Sequence, residues 1–234
     1  TNESKHSWMD EGLTSYIDDV AMNVILNEGK ALPNANAYKD YFKWVATGLE
    51  EPMTTHADRF KFNTGYGMSA YDKGSIFLSQ LQYIIGKENF DNTLKKYFND
   101  WSFRHPKPND FIRSAERVSG LELDWYLLDW AQSTMTIDYS INSVYGVDNK
   151  TKIVLKRIGQ MGMPIDIRIV LDSGDSLDFN IPMTKMRGSK PLNNSSLLDS
   201  WSWAKPYYEF WIEIDSKDVS KILIDPTTTE YMAW

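Results

Sequence analysis

The chain contains no cysteine. That excludes disulfides and thiolate-bound metal, and it leaves the compartment open, because exported proteins also do without cysteine. No apolar run approaches the ~18 residues of a membrane span. Positive charge is also short: 25 basic residues stand against 32 acidic ones, for a net charge of -7. There is no run of five basic residues, so neither nucleic acid nor an anionic membrane is expected as a partner. Histidine is scarce, and His6, His56 and His105 are too scattered to form an i, i+4 ligand pair. All three read as surface or structural residues. Low-complexity tracts and internal repeats are missing too.

What is present is apolar and aromatic. Hydrophobic residues make up 42% of the 234 positions and aromatics 14%, with nine Trp and thirteen Tyr. This composition implies a packed globular protein with room for one large or two ordinary domains. The hydrophobic period divides the chain. As far as Thr136 it is that of helices. An opening helix runs from near Asp10 to about Asn27-Glu28-Gly29, with Leu13, Ile17, Val20, Ala21 and Val24 as its apolar stripe. Trp44, Val45 and Leu49 suggest a short helix. Ser69-Ala70-Tyr71-Asp72 fits a capping box that starts a second long helix on Ile76, Phe77, Leu81, Ile84 and Ile85, closed by Gly86. Further helices carry Phe90, Leu94, Tyr97, Phe98 and Trp101, then Phe111, Ile112, Ala115 and Val118 up to Gly120, then Leu123, Leu127 and Trp130. Short connections predict a bundle.

From residue 137 the period becomes two. Ile137 to Ile141, Ile165 to Leu171, Leu177 to Ile181, Tyr208 to Ile214 and Lys221 to Ile224 read as strands, with a hairpin turn at Asp172-Ser173-Gly174-Asp175. About half a dozen strands over a hundred residues predict an antiparallel β-sandwich. The fold class is therefore α+β, with a helical part at 1–136 and a sandwich at 137–234.

Two residues carry candidate chemistry. Glu11, in Trp8-Met9-Asp10-Glu11-Gly12-Leu13, lies in a first helical turn. The positive end of the helix dipole there favours a charged, ligand-competent carboxylate, and the same position equally suits a Glu that only stabilises its helix. Tyr71, in Tyr71-Asp72-Lys73-Gly74, is by type a packing or surface residue. A neutral phenol at working pH is also a hydrogen-bond donor that can face developing negative charge.

The first segment resembles the W-x-x-E-G of the gluzincin zinc aminopeptidases (peptidase family M-one), which include aminopeptidase N and leukotriene hydrolase. The second resembles their Y-x-K-G. The likeness continues through Asn109-Asp110-Phe111-Ile112, Leu123-Asp124-Trp125-Tyr126 and Gly162-Met163-Pro164-Ile165-Asp166, and it is nearest to bacterial members. It implies that Glu11 is the third ligand of one zinc ion and that Tyr71 donates to the tetrahedral oxyanion. The other two ligands and the general base would come from an H-E-x-x-H helix. Ten residues precede Glu11 and the chain contains no such motif, so it reads as a fragment cut after the metal helix. The implied fold is the helical half of a thermolysin-like catalytic domain followed by the family's β-sandwich. The implied parent is a zinc metallopeptidase that removes amino-terminal residues from peptide substrates, with the fragment alone inactive. Family analogy favours the periplasm or cell surface over the cytoplasm.

Two alternatives belong to other classes: a family member without the metal motif that acts as a scaffold, or a binding module built on the sandwich. Trp201, Trp203, Tyr207 and Tyr208 would stack sugars in the latter and pack in the ordinary case. Asp10 reads as a cap or as a group supporting the ligand, and Lys73 as a solvated lysine.

Overall fold

The computed structural model describes residues 1–226. The fold is α+β, in two compact units, Thr1–Thr134 and Met135–Trp234.

In the first unit, α1 spans Glu11–Ile25 and α2 spans Ala35–Val45. A long rod follows, made of α3 (Asn63–Gly67), a π-helical turn (Met68–Asp72) and α4 (Lys73–Ile85). Then come α5 (Lys87–Trp101), α6 (Pro108–Ser119) and α7 (Asp124–Tyr126), which runs into a second π turn at Leu127–Ala131. Helix α4 is the axis of this unit, with Ile76, Phe77, Leu78, Leu81, Ile84 and Ile85 all buried. Its neighbours α1, α2 and α5 surround it, so its stripe is apolar almost all round. Phe77 lies between Trp8, edge-on at 4.9 Å, and Tyr126, stacked at 4.7 Å. The Tyr126 hydroxyl donates to the Phe77 carbonyl at 2.7 Å, satisfying a polar atom that burial would otherwise penalise. Gly86 (φ 83°) and Gly120 (φ 72°) end α4 and α6 in conformations that side chains resist. At the start of α6, Pro108 takes the first helical position and the Asp110 carboxylate accepts from the Lys107 N–H at 2.8 Å.

Several expectations need correction here. The α1 stripe faces the core of this unit only in part, through Leu13, which lines a small gap with Trp8, Met9, Leu78 and Phe111. Gly12 and Tyr16 are the buried positions, while Ile17 and Val24 are exposed. The cause is the glycine, which draws α4 against its own edge of α1, and the Tyr16 hydroxyl donates to Gln82 Oε1 of α4 at 2.5 Å. Phe98 is also exposed, because α5 packs through Phe90 and Thr93. Leu49 lies beyond α2 and is exposed. Ser69 is no N-cap. Phe62 is extended (φ -134°, ψ 139°) and the rod starts at Asn63, so residues 69–72 are interior and the capping-box pattern is left without a helix start to cap.

The second unit holds β1 (Tyr139–Val147), β2 (Lys150–Arg157), β3 (Ile165–Leu171), β4 (Ser176–Ile181), β5 (Ser196–Leu197), β6 (Tyr207–Ile212) and β7 (Val219–Ile224). They form two sheets, ordered β1-β2-β6 and β5-β4-β3-β7. Every strand pair is antiparallel except the two-residue β4–β5 pair. The hairpin turn joins β3 to β4 in the register Ile167↔Phe179 and Ile169↔Leu177. Inward residues of both sheets meet in one core, with Ile153, Leu155, Phe210 and Ile212 from one and Ile165, Ile167, Ile169 and Ile181 from the other. Strand β2, central in its sheet, escapes the sequence pattern because lysines alternate with its inward residues Thr151, Ile153 and Leu155, only two of which are apolar. The aromatic cluster separates. Trp201 is buried and Tyr208 packs against it at 5.3 Å. Trp203 and Tyr207 are exposed, and the Lys185 and Lys156 ammonium groups lie over their rings.

Candidate active site

Glu11 opens α1, and Tyr71 sits on the π turn of the long rod. The first turn of α1 lies across this turn and α4, so residues sixty positions apart in the chain become neighbours. The Tyr71 hydroxyl faces the Glu11 carboxylate, and hydrogen bonding toward it, with burial and the negative charge of Glu11, pushes the phenol up to about 12. Tyr71 is therefore a neutral donor at any ordinary pH. Its side chain keeps 40% of its exposure, so an incoming molecule can reach it. A wide turn inside a helix shifts side chains off the regular 3.6-residue register, and such turns recur at functional sites. Tyr71 is interior to the rod rather than in a first helical turn, so the free N–H groups of a helix start do not lie beside it.

Lys73 overturns the expectation of a solvated lysine. Its side chain is 2% exposed, and its ammonium is 2.6 Å from Glu50 Oε1, which is itself 6% exposed. The ammonium also donates to the Ser133 carbonyl at 3.2 Å and lies 5.7 Å from the Tyr41 ring and 5.9 Å from the Trp130 ring. The Tyr41 hydroxyl donates to the same Glu50 oxygen at 2.6 Å. Burial lowers the Lys73 pKa, and the Glu50 carboxylate pulls it back up. This network clamps the helix two residues after Tyr71. Sequence reasoning missed Glu50 and Tyr41, which no spacing connects to Lys73. The available signal was periodicity, because Lys73 shares the face of Ile76, Phe77 and Leu81, where a charge needs a buried partner.

Asp72, between the two, is pushed up to about 6 by burial first and then by the charges of Asp40 and Asp19. Asp10 is exposed and makes no side-chain cap, since it already has helical φ and ψ. Its carbonyl accepts from the Thr14 N–H at 3.0 Å. His56 accepts from the Asp58 N–H at 3.3 Å. His6 and His105 line one cavity of ≈ 570 Å³ with Lys107 and Arg113.

Among the described residues no three His, Asp or Glu side chains are placed to hold an ion. Zinc asks for three or four such donors. Glu11 fits as one carboxylate oxygen ligand, and the described residues put no second or third donor around it.

The sequence profile of the peptidase family M1 domain matches residues 2–130. Aminopeptidase M1-B of Oryza sativa subsp. japonica is 20% identical over 135 residues, covering 54% of this chain and 15% of the rice protein. Human aminopeptidase B is 24% identical over 141 residues, covering 51% of this chain and 21% of its own length. The crystal structure of Legionella pneumophila aminopeptidase A in complex with aspartic acid matches with a TM-score of 0.53 and 18% identity. That match covers 92% of this chain and 22% of that one, and it speaks for the fold. The chain thus spans about a fifth or less of the relatives it matches.

Proposed function

Because the chain belongs to peptidase family M1, we propose that it is part of a zinc-dependent aminopeptidase. Its Glu11 is one zinc ligand and its Tyr71 the donor to the oxyanion. The observation that carries this reading is the packing of the first turn of α1 on the π turn of the rod, which makes Glu11 and Tyr71 neighbours. Two side chains from separate motifs converge on one accessible spot, one able to ligate and the other able to donate. Zinc, when bound, supplies Lewis-acid polarisation of the scissile carbonyl and an activated water.

The rest concerns this chain's own groups. Glu11 presents a carboxylate at the positive end of α1, where the dipole favours its anionic form. Tyr71 holds its proton through neutral pH and so can meet negative charge developing on a carbonyl oxygen, a contribution of roughly 3–4 kcal/mol for a well-aimed donor. The Lys73–Glu50 clamp fixes the turn from which that donor projects. Peptide substrates and a periplasmic or cell-surface setting belong to the same proposal.

The test is zinc content together with aminoacyl-anilide hydrolysis, in this chain and in its full-length parent. The parent should hold zinc and hydrolyse. Glu11→Ala should lose both, and Tyr71→Phe should keep the metal while losing on the order of 10²–10³-fold in kcat. This chain alone should bind zinc weakly and be inactive. A folded parent without zinc, or zinc affinity on the order of micromolar or tighter in this chain alone, overturns the reading.

A further inference from the structure

Each candidate residue has a glycine close by in the chain. Gly12 follows Glu11 directly, and Gly74 comes one helical turn after Tyr71. Both are buried and neither has a positive φ, so backbone freedom does not explain them. Glycine inside a helix is unfavourable, so another cause must act, and that cause is space. A Cβ on Gly12 would lie 2.6 Å from the Gly74 Cα and 2.8 Å from its carbonyl carbon. A Cβ on Gly74 would lie 2.8 Å from the Gly12 Cα and 3.3 Å from the Trp8 carbonyl oxygen. Carbon atoms sit best at about 3.5–4.0 Å, so α1 and α4 touch backbone to backbone at a point that admits no methyl group. Gly67, in the same long rod, has nothing within 4 Å of its own Cβ position. The close approach therefore belongs to the Gly12–Gly74 pair and not to glycine in this rod generally.

We propose that Gly12 and Gly74 are positioning residues, whose crossing sets the separation of α1 and α4 so that the Glu11 carboxylate meets the Tyr71 hydroxyl. Glu11 is one residue from the crossing and Tyr71 one turn from it, so neither side chain has length over which to absorb a shift. A methyl group at either glycine forces the two backbones apart by roughly 1 Å to restore ordinary contact. Hydrogen bonds are lost over that range, and a misplacement of about 1 Å at a catalytic site can cost on the order of 10²-fold in rate. The inference deepens the roles given above to Glu11 and Tyr71, and rests on them.

The test needs no metal. Tyrosine labelled with ¹³C at Cζ gives one ring signal per residue, and Tyr71→Phe identifies that of Tyr71. Glu11→Ala marks its position when the carboxylate is absent. Gly74→Ala and Gly12→Ala should each move the Tyr71 signal at least half way to that mark, and Gly67→Ala should leave it in place. A folded Gly74→Ala or Gly12→Ala chain with the Tyr71 signal unmoved overturns the proposal. Should either variant unfold, the spectrum is taken in trimethylamine N-oxide, which favours the compact state without touching the crossing. If both stay unfolded there, the crossing serves the fold rather than the site, and the proposal falls.

In the full-length parent, Gly74→Ala should lower kcat at least tenfold with KM within twofold and zinc unchanged. A parent that proves not to be a peptidase removes that arm and sinks the functional reading. The ring signal still decides whether the glycines hold the pair.

Discussion

The two units bury different chemistry. In the sandwich the interior is Ile, Leu, Phe and Trp, and among the described residues its buried polar side chains are Thr151 and Asn180. In the helical unit an ammonium sits in the core, at Lys73, and Asn34 donates to Ser75 and Ser79 at 3.0 and 2.7 Å across the packed helices. The sandwich ladders slip in register at Ile141/Ser143 and at Val170/Leu171, and the helical rod widens into a π turn where Tyr71 stands. A functional site must hold polar groups away from water in fixed geometry, and each such group needs a partner. The unit that accepted this requirement buries a charged pair, and the other is a largely apolar sandwich.

The largest test of that contrast is Glu50→Gln. The Lys73–Glu50 pair is nearly dry, and removing one member leaves a buried ammonium uncompensated, at a cost of about 3–5 kcal/mol. The urea midpoint of the helical unit, followed by circular dichroism, should fall accordingly. Replacing both partners by apolar residues of similar size should recover most of the loss. A loss below about 1 kcal/mol on Glu50→Gln would mean that water reaches the pair and that the unit hides no charge.

How much of this was legible in the sequence follows the same division. Features that depend on neighbours in the chain could be read: the stops at Gly86 and Gly120, the β3–β4 hairpin, the change of period near residue 137 and the two motif segments themselves. Features that depend on distant partners could not. Glu50 has no spacing that ties it to Lys73, and the π turn looks in sequence like a capping box. The buried edge of α1 is chosen by Gly74 of α4, far along the chain, rather than by the apolar stripe of α1. Strand β2 hides Thr151, Ile153 and Leu155 among lysines, and only two of the three are apolar. The pairing of Glu11 with Tyr71 lies between these cases, since each residue was visible alone and only the fold makes them neighbours.

A smaller effect should have opposite signs in the two units. Asp72 in the helical rod is pushed up to about 6 by burial and by nearby acids. A carboxyl raised in the folded state destabilises it once ionised, so stability is greatest below the unfolded pKa and declines as pH rises through about 4 to 6. Asp72→Asn should therefore stabilise by about 1 kcal/mol at pH 8, discounted for its partial exposure, and by nothing near pH 3. Asp178 in the sandwich is held low by the Arg168 guanidinium, which donates to it twice, at 2.7 and 2.8 Å. Its contribution is present above the unfolded pKa and is lost as pH falls, so Asp178→Asn should cost up to about 1 kcal/mol at pH 8. Thermal midpoints at pH 3 and pH 8 separate the two. Equal signs would show that the environments of these acids do not differ as described.

The smallest effect isolates burial from geometry. Lys152 and Glu209 of the sandwich make an ion pair at 2.8 Å, close to the 2.6 Å of the core pair, but at 26% and 62% exposure. Water already solvates both charges, and Lys152 also lies 5.6 Å from the Trp211 ring, so losing the carboxylate strands nothing. Glu209→Gln should cost roughly 0.2–1 kcal/mol and less still in 1 M salt, where the screening length falls to about 3 Å. The same carboxylate-to-amide change is made in both units at nearly the same distance, which leaves solvent as the variable. A Glu209→Gln cost as large as that of Glu50→Gln would assign the strength of these pairs to their contact geometry and remove the contrast between a dry helical site and a wet sandwich surface.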